Sequence, residues 1–202
     1  MIKVILFDID GVLINGKRFS EMLEIDYGVS VQETLPFFTG AFRDCLIGKA
    51  DIKKELVPFL PVWGWKKSVD ELLAYWFKSE CKLDEELAQY TQTLRAKGII
   101  CCLATNQEKY RVEYLLEHLG FARKFDHIFP SAHLGYAKPH TGFFEQIESR
   151  LLGIRRDEII LWDDTPGHVE AAQQFGIHAE VYTDFTSFRE IMERYFTSKS
   201  VA

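Results

Sequence analysis

The chain lacks any apolar run near the ~20 residues needed to span a bilayer. Uncharged stretches such as Ile99-Ile100-Cys101-Cys102-Leu103-Ala104 are far too short, so no membrane partner is expected. The N-terminus has no basic region, apolar segment and cleavage site in sequence, and Asp8 and Asp10 interrupt its apolar run, so it does not read as a signal peptide. Cysteine is sparse: Cys45, Cys81, Cys101 and Cys102 form no CxxC pair, and the adjacent two point to opposite faces of a strand. Reduced thiols in a cytosolic (cytoplasmic) protein are the expectation. Positive charge is in deficit, with 24 Lys and Arg against 30 Asp and Glu, a net charge of −6. The basic pairs Lys53-Lys54, Lys66-Lys67 and Arg155-Arg156 are scattered, so a nucleic-acid partner is not expected. A small anionic substrate is still compatible, because a local cation overrides net charge. Neither GxSxG, HExxH, P-loop nor GxGxxG occurs. Internal repeats and low-complexity segments are also missing.

What is present is ordinary globular composition, 47% hydrophobic and 27% charged over 202 residues, enough for one domain or one with an insertion. Ile2–Phe7 is apolar, β-branched and closed by Asp and Gly, which predicts a buried strand ending in a turn. Gly98–Ala104, Ile128-Phe129, Ile159–Trp162 and Ala179–Tyr182 repeat that pattern with decreasing clarity. Between them lie helical patterns: one capped by Asp84 with Leu87, Tyr90 and Leu94 on its apolar face, then Tyr110–Leu119, Phe143–Leu152 and Val169–Phe175. Each is followed by glycine. Strands alternating with helices predict an α/β fold, a Rossmann-like parallel sheet covered on both faces. Residues 16–83 carry no convincing strand. Ile52-Leu56-Phe59, with Asp51 as cap, and Val69-Leu72-Leu73-Trp76 read as helices, with Pro36, Pro58, Pro61 and Gly64 as breaks. The expected organisation is a core of residues 1–15 and 84–202, with 16–83 as an inserted α-helical cap. The tail from Thr197 to Ala202 is expected to fray.

Ligands of parallel α/β sheets bind beyond the carboxyl ends of the strands. There the sequence places Asp8-Ile9-Asp10-Gly11, Thr105-Asn106, the loop residue Lys138 and Asp163-Asp164. Asp8 and Asp10, two apart, share one face of an extended backbone. Carboxylates crowded at one edge repel by about 4 kcal/mol per pair at 4 Å and an effective dielectric of 20. A hard divalent cation with oxygen ligands relieves this, as Mg²⁺ does. A metal, a lysine and hydroxyl and amide donors together suit a phosphate group, with one carboxylate left as nucleophile.

These segments resemble the motifs of haloacid dehalogenase (HAD) superfamily hydrolases, in the phosphatase branch. Phe7-Asp8-Ile9-Asp10-Gly11-Val12 is similar to the first motif and Leu103-Ala104-Thr105-Asn106 to the second. Ser131–Glu145 with Lys138-Pro139 is similar to the third, and Leu161-Trp162-Asp163-Asp164 followed by Val169-Glu170-Ala171-Ala172 to the fourth. They occur in family order and cover the whole core. The resemblance implies that Asp8 is the nucleophile. It implies that Asp10 is the general acid/base and ligates Mg²⁺ through its backbone carbonyl. Thr105 and the Asn106 amide would bind the phosphoryl oxygens, and Lys138 would neutralise Asp8 and the phosphate. Mg²⁺ would be held by Asp8, Asp10 and Asp164, with Asp163 as a further metal residue. Residues 16–83 would be the family's small helical cap. Asp10 favours phosphoryl transfer over carbon–halogen hydrolysis, since an alkoxide needs a proton donor to leave.

The implied activity is an Mg²⁺-dependent phosphomonoesterase acting on a small phosphorylated metabolite, with sugar phosphates among the candidates, through an aspartyl-phosphate. A phosphomutase with the same catalytic set, or a non-catalytic binding protein retaining the fold, are the alternatives. Some residues admit plainer roles. Thr105-Asn106 suits a helix N-cap, and Asp163-Asp164 suits a cap for the helix beginning near Val169. His168 stands where relatives often have Asn or Asp and reads as a surface residue at that helix start. Of the cap aromatics Phe37, Phe38, Phe42, Trp63, Trp65, Tyr75, Trp76 and Phe77, about two are expected near substrate and the rest in the cap's own core. Arg43 and Lys49 are candidate substrate contacts.

Overall fold

A computed structural model describes residues 1–197. In chain order the elements are β1 (Val4–Phe7), α1 (Phe19–Tyr27), α2 (Val31–Thr39), α3 (Phe42–Leu46), α4 (Ile52–Leu56), α5 (Val69–Glu80), α6 (Glu85–Ala96) and β2 (Ile100–Thr105). Then come α7 (Lys109–His118), α8 (Phe121–Lys124), β3 (His127–Pro130), α9 (Ser131–Leu134), α10 (Thr141–Glu148), β4 (Ile159–Asp163), α11 (Pro166–Phe175), β5 (His178–Val181) and α12 (Phe185–Thr197). The five strands form one sheet in the order β3-β2-β1-β4-β5, and every pairing is parallel. The fold is α/β, as the alternating pattern implies.

Strand periodicity explains the two faces. Ile5 and Phe7 of β1, Cys101 and Leu103 of β2, and Ile160 and Trp162 of β4 enter one buried cluster. Val4, Leu6, Cys102, Ala104, Ile159 and Leu161 enter the other. Each large apolar side chain buried this way contributes roughly 1.5–3 kcal/mol. Cys101 and Cys102 fall on opposite faces, and all four cysteines are free. The helix α12 was not foreseen from the sequence. It buries Phe188 and Met192 against the first face, and Asp184 caps it by accepting from Ser187 N at 2.9 Å. That helix is described as far as Thr197, and the rest of the tail lies outside the described residues. Among the described residues no helix is long and apolar enough to cross a membrane.

The segment between β1 and α6 is helical. Ser30 with Glu33 and Ser68 with Glu71 form reciprocal capping boxes on α2 and α5, and Asp51 caps α4. Pro36 sits inside α2 rather than ending it. These helices share a separate buried cluster containing Phe19, Phe37, Trp63, Trp65, Trp76 and Phe77. Phe19 and Trp76 stack with centroids 4.5 Å apart. The two connections to the core run side by side. Ile14 bridges Leu83, Asn15 N donates to Lys82 O at 2.9 Å, and Asp84 N to Leu13 O at 2.8 Å. A Cβ on Gly16 would lie 2.2 Å from the Glu80 carbonyl oxygen. Farther along, Asp51 pairs with Lys109 at 2.8 Å and accepts from Tyr110 Oη at 3.1 Å, tying α4 to the start of α7. Gly16→Ala, which forces these connections apart, is expected to lower stability by about 1–3 kcal/mol. Urea unfolding followed by fluorescence measures this.

Candidate active site

Strand order decides which side chains meet. β1 is central, so its last residues lie between the ends of β2 and β4. Asp8 N extends the ladder by donating to Trp162 O at 2.9 Å, and Ile9 N donates back to Asp8 Oδ1 at 2.8 Å. Lys138, on the loop after α9, reaches beneath these strand ends and is almost fully buried. Its ammonium donates to Ala104 O at 2.7 Å and Asp163 Oδ2 at 2.5 Å, and lies 3.1 Å from Asp8 Oδ1. All three N–H donors therefore have partners, one from each of the three central strand ends. Asn106 fixes the lysine backbone: its side-chain amide donates to Lys138 O at 2.9 Å, and its oxygen accepts from Lys138 N at 2.8 Å.

Burial pushes the Asp8 carboxyl well above its ordinary value; Lys138 opposes this, and Asp163 and Asp10 add to it. For Asp163 burial acts upward too, but the His168 hydrogen bond and the Lys138 charge outweigh it and hold the group low. The Lys138 ammonium is disfavoured by burial, yet Asp8 and Asp163 more than compensate and raise it. The result is an ionised lysine–Asp163 pair beside a carboxylate that one cation only partly compensates.

A cavity of about 830 Å³ opens above this edge. Asp8, Asp10, Thr105, Asn106 and Asp164 all line it, so five of the seven expected site residues face one space. Lys138 and Asp163 sit behind them. Asp163 is fully buried, with Oδ1 accepting from Thr165 N at 2.9 Å and Oδ2 facing Lys138. Asp164 is the exposed member of its pair and lies against Gly11, whose φ of +83° and lack of Cβ permit the approach. A Cβ there would meet Asp164 Oδ2 at 2.2 Å. The carboxylates of Asp8 and Asp164 that face the cavity suit a hard divalent cation, whereas both Asp10 carboxylate oxygens already accept from Arg111 and Gln107. Asp8, Asp163 and His168 also have ligand atoms within 4.8 Å of one another. Lys138 already bridges the first two of these, which makes that trio a weaker metal site.

Several plainer readings are corrected. His168 is not a bare surface residue: its Nδ1 lies 3.1 Å from Asp163 Oδ1. Thr105-Asn106 does not cap α7; Glu108 does, accepting from Tyr110 N at 2.9 Å and Arg111 N at 2.6 Å. Neither Asp163 nor Asp164 is the N-cap of α11, which begins at Pro166 after Thr165. Of the eight cap aromatics, Phe38, Phe42, Trp76 and Phe77 line the cavity. Arg43 and Lys49 are exposed and are not among its lining residues. The sequence reading missed Phe19, Glu80, Gln107, Glu108 and Arg111, all of which do line it. A signal existed for two of them. Arg111 lies four before Leu115 and Glu80 four after Trp76, which puts each charge on the buried stripe of its helix.

Removing the charge at the centre of this edge leaves two buried carboxylates uncompensated. Lys138→Met is expected to destabilise the fold by about 3–5 kcal/mol. Urea denaturation at neutral pH, compared with wild type, measures the difference.

Comparisons with known proteins agree with this geometry. The family described as haloacid dehalogenase-like hydrolase matches residues 2–176. The GMP/IMP nucleotidase YrfG of Escherichia coli is 22% identical over 186 residues, covering 87% of this chain and 80% of that protein. The chloroplastic protein SUPPRESSOR OF QUENCHING 1 of Arabidopsis thaliana is 25% identical over 180 residues; these span 85% of this chain but 17% of that protein. A HAD family enzyme of Bacteroides thetaiotaomicron, solved with magnesium and inorganic phosphate, superposes with a TM-score of 0.77 at 20% identity, covering 93% of this chain and 99% of that one. A HAD-like hydrolase of Porphyromonas gingivalis gives 0.82 at 21% identity, with 98% of each chain covered. With its motifs in order along the sheet edge and the family match running through nearly the whole core, the chain belongs to the haloacid dehalogenase-like hydrolases.

Proposed function

We propose that the chain is an Mg²⁺-dependent phosphomonoesterase that acts on a small phosphorylated metabolite through an aspartyl-phosphate on Asp8. The observation that carries this reading is the setting of Asp8: it ends the central strand, faces the cavity and shares a buried lysine with Asp163. The magnesium-and-phosphate complex of the Bacteroides enzyme and the nucleotidase relative support the same chemistry.

In the first step an Asp8 oxygen bonds to phosphorus and the ester P–O bond breaks. The leaving oxygen keeps the electron pair and takes a proton from Asp10. Water then attacks phosphorus, Asp10 accepts its proton, and the acyl-phosphate bond breaks to release Asp8 and inorganic phosphate. Thr105 and the Asn106 backbone amide hold the phosphoryl oxygens. Lys138 offsets charge on Asp8 and on the transferring group. Asp8, Asp164 and the Asp10 backbone carbonyl would hold Mg²⁺, which would supply positive charge to the transferring phosphoryl group. Asp163 serves by fixing Lys138. The cavity wall includes Val31, Leu35, Phe38, Phe42 and Leu46, from α2 and α3. That wall suits a leaving group with an apolar or planar face better than a bare hexose.

Phosphate release from a panel of nucleotides, sugar phosphates and aryl phosphates, with Mg²⁺ and with chelator, tests the reading. Metal-dependent release is expected, with Ca²⁺ a poor substitute because it takes more oxygen ligands at longer distances. Asp8→Asn is expected to fold and to release nothing; substantial turnover in that variant would overturn the choice of nucleophile. Isomerised sugar phosphate in place of free phosphate would mean a mutase, and no reaction with any member would favour the non-catalytic alternative. Phe42→Ala is expected to raise KM for the best substrate by roughly tenfold or more, with a smaller effect on kcat. Initial-rate kinetics on that substrate measures the split.

A further inference from the structure

We propose that Arg111 is a positioning residue for Asp10, acting with Gln107 and anchored by Glu80. The inference rests on the phosphatase reading above. Asp10 lies on the loop after β1, and its side chain is 53% exposed toward the cavity. An aspartate so placed has several rotamers open to it. Here each of its oxygens has a donor. Arg111 Nη2 donates to Oδ1 at 2.9 Å, and Gln107 Nε2 donates to Oδ2 at 2.5 Å. Gln107 lies on the segment joining β2 to α7 and Arg111 in the first turn of α7, so the two oxygens are held from one short stretch of chain, which fixes the direction of the carboxylate.

Arg111 is itself immobilised. Its side chain is 3% exposed, and Nη1 lies 2.8 Å from Glu80 Oε2. Glu80, the last residue of α5, accepts from Phe19 N at 2.6 Å through its other oxygen, and its carbonyl packs on Gly16. The guanidinium is therefore held between two carboxylates, one catalytic and one structural. Glu80 holds Nη1 as an ion pair rather than a directed hydrogen bond, and Nε is buried without a hydrogen-bond partner. Both of its Nη nitrogens face carboxylates, whereas Lys138 is the cation beside Asp8. The guanidinium holds its two Nη arms in a fixed planar geometry that the ammonium of a lysine does not reproduce. Gln107 fills the other half of the cradle without adding charge.

A group that positions Asp10 governs proton transfer, and that dependence varies with the leaving group. An alkoxide needs the proton; p-nitrophenolate leaves without it. The test compares an alkyl phosphate with p-nitrophenyl phosphate in wild type, Arg111→Lys, Gln107→Met and Arg111→Met, each with Mg²⁺. For the alkyl ester kcat is expected to fall about a hundredfold in the arginine variants and by less in Gln107→Met, with KM little changed. In a single turnover p-nitrophenolate release is expected to stay near the wild-type rate. Its steady-state rate falls, because Asp10 must still activate water, so a burst of p-nitrophenolate appears. Arg111→Lys and Gln107→Met leave no buried carboxylate without a nearby cation, and they carry the test if Arg111→Met fails to fold. Equal losses on both esters in single turnovers, or no loss on either, overturn this inference alone, provided wild type hydrolyses both. Wild type inactive on both esters overturns the phosphatase reading and this inference with it.

Discussion

One ammonium group organises the functional edge of this molecule. Lys138 contacts the ends of β2, β1 and β4 at once, through Ala104, Asp8 and Asp163. Two carboxylates buried side by side without it would be strongly disfavoured, since each charge has lost most of its water. With it, the sheet can end in acids at adjacent strands and keep one of them facing a cavity. The rest of the edge follows from that constraint. Asn106 fixes the lysine backbone, and His168 and the Thr165 amide occupy the outer side of Asp163. Asp8 is left as the acid whose charge is least satisfied.

Much of this was legible in the sequence, for identifiable reasons. A parallel sheet buried on both faces writes itself as short continuous apolar runs, and β1, β2 and β4 are such runs. The acids that end β1 and β4 interrupt those runs, so Asp8, Asp10, Asp163 and Asp164 stood out. The glycines after α7 and α11 marked helix ends, whereas α10 stops at Glu148, short of the expected Leu152 and Gly153. Helix α12 repeats Phe185, Phe188 and Met192 at helical spacing, but no glycine closes it, and that kind of signal was missing. The paired charges were harder to read. Arg111 and Glu80 are 31 positions apart in the chain, and each looks like an isolated charge on an apolar stripe until the fold brings them to 2.8 Å. His168 was misread because spacing places it at a helix start, while only the turn at Thr165 aims it back at Asp163.

The helical segment between Gly16 and Glu80 divides its aromatic residues between two tasks. Phe37, Trp63 and Trp65 pack inward, with the Trp63 and Trp65 indole nitrogens donating to the Glu33 and Ser68 carbonyls. Phe38 and Phe42 remain half-buried and turn toward the cavity. The inward set packs ring against ring, Phe37 lying against Trp63 and also against Phe38 and Phe42. It gives the outward pair a firm backing, so the wall facing the strand ends has a defined shape rather than the mobility of a loop.

The paired strands of chain at 13–16 and 80–84 carry a consequence for how such a molecule can change over generations. They close the intervening segment at its base, so the sheet meets it as a loop whose two ends already touch. The entropy of closing such a loop grows only logarithmically, by about 0.6 kcal/mol for each doubling of length. The core is thus nearly indifferent to how long that segment is, although Asp51 and Glu80 within it pair with Lys109 and Arg111 of α7. The apolar residues that line the cavity from that segment can differ without moving the acids and the lysine at the sheet edge, whereas Glu80 at its base ties it to Arg111 and Asp10.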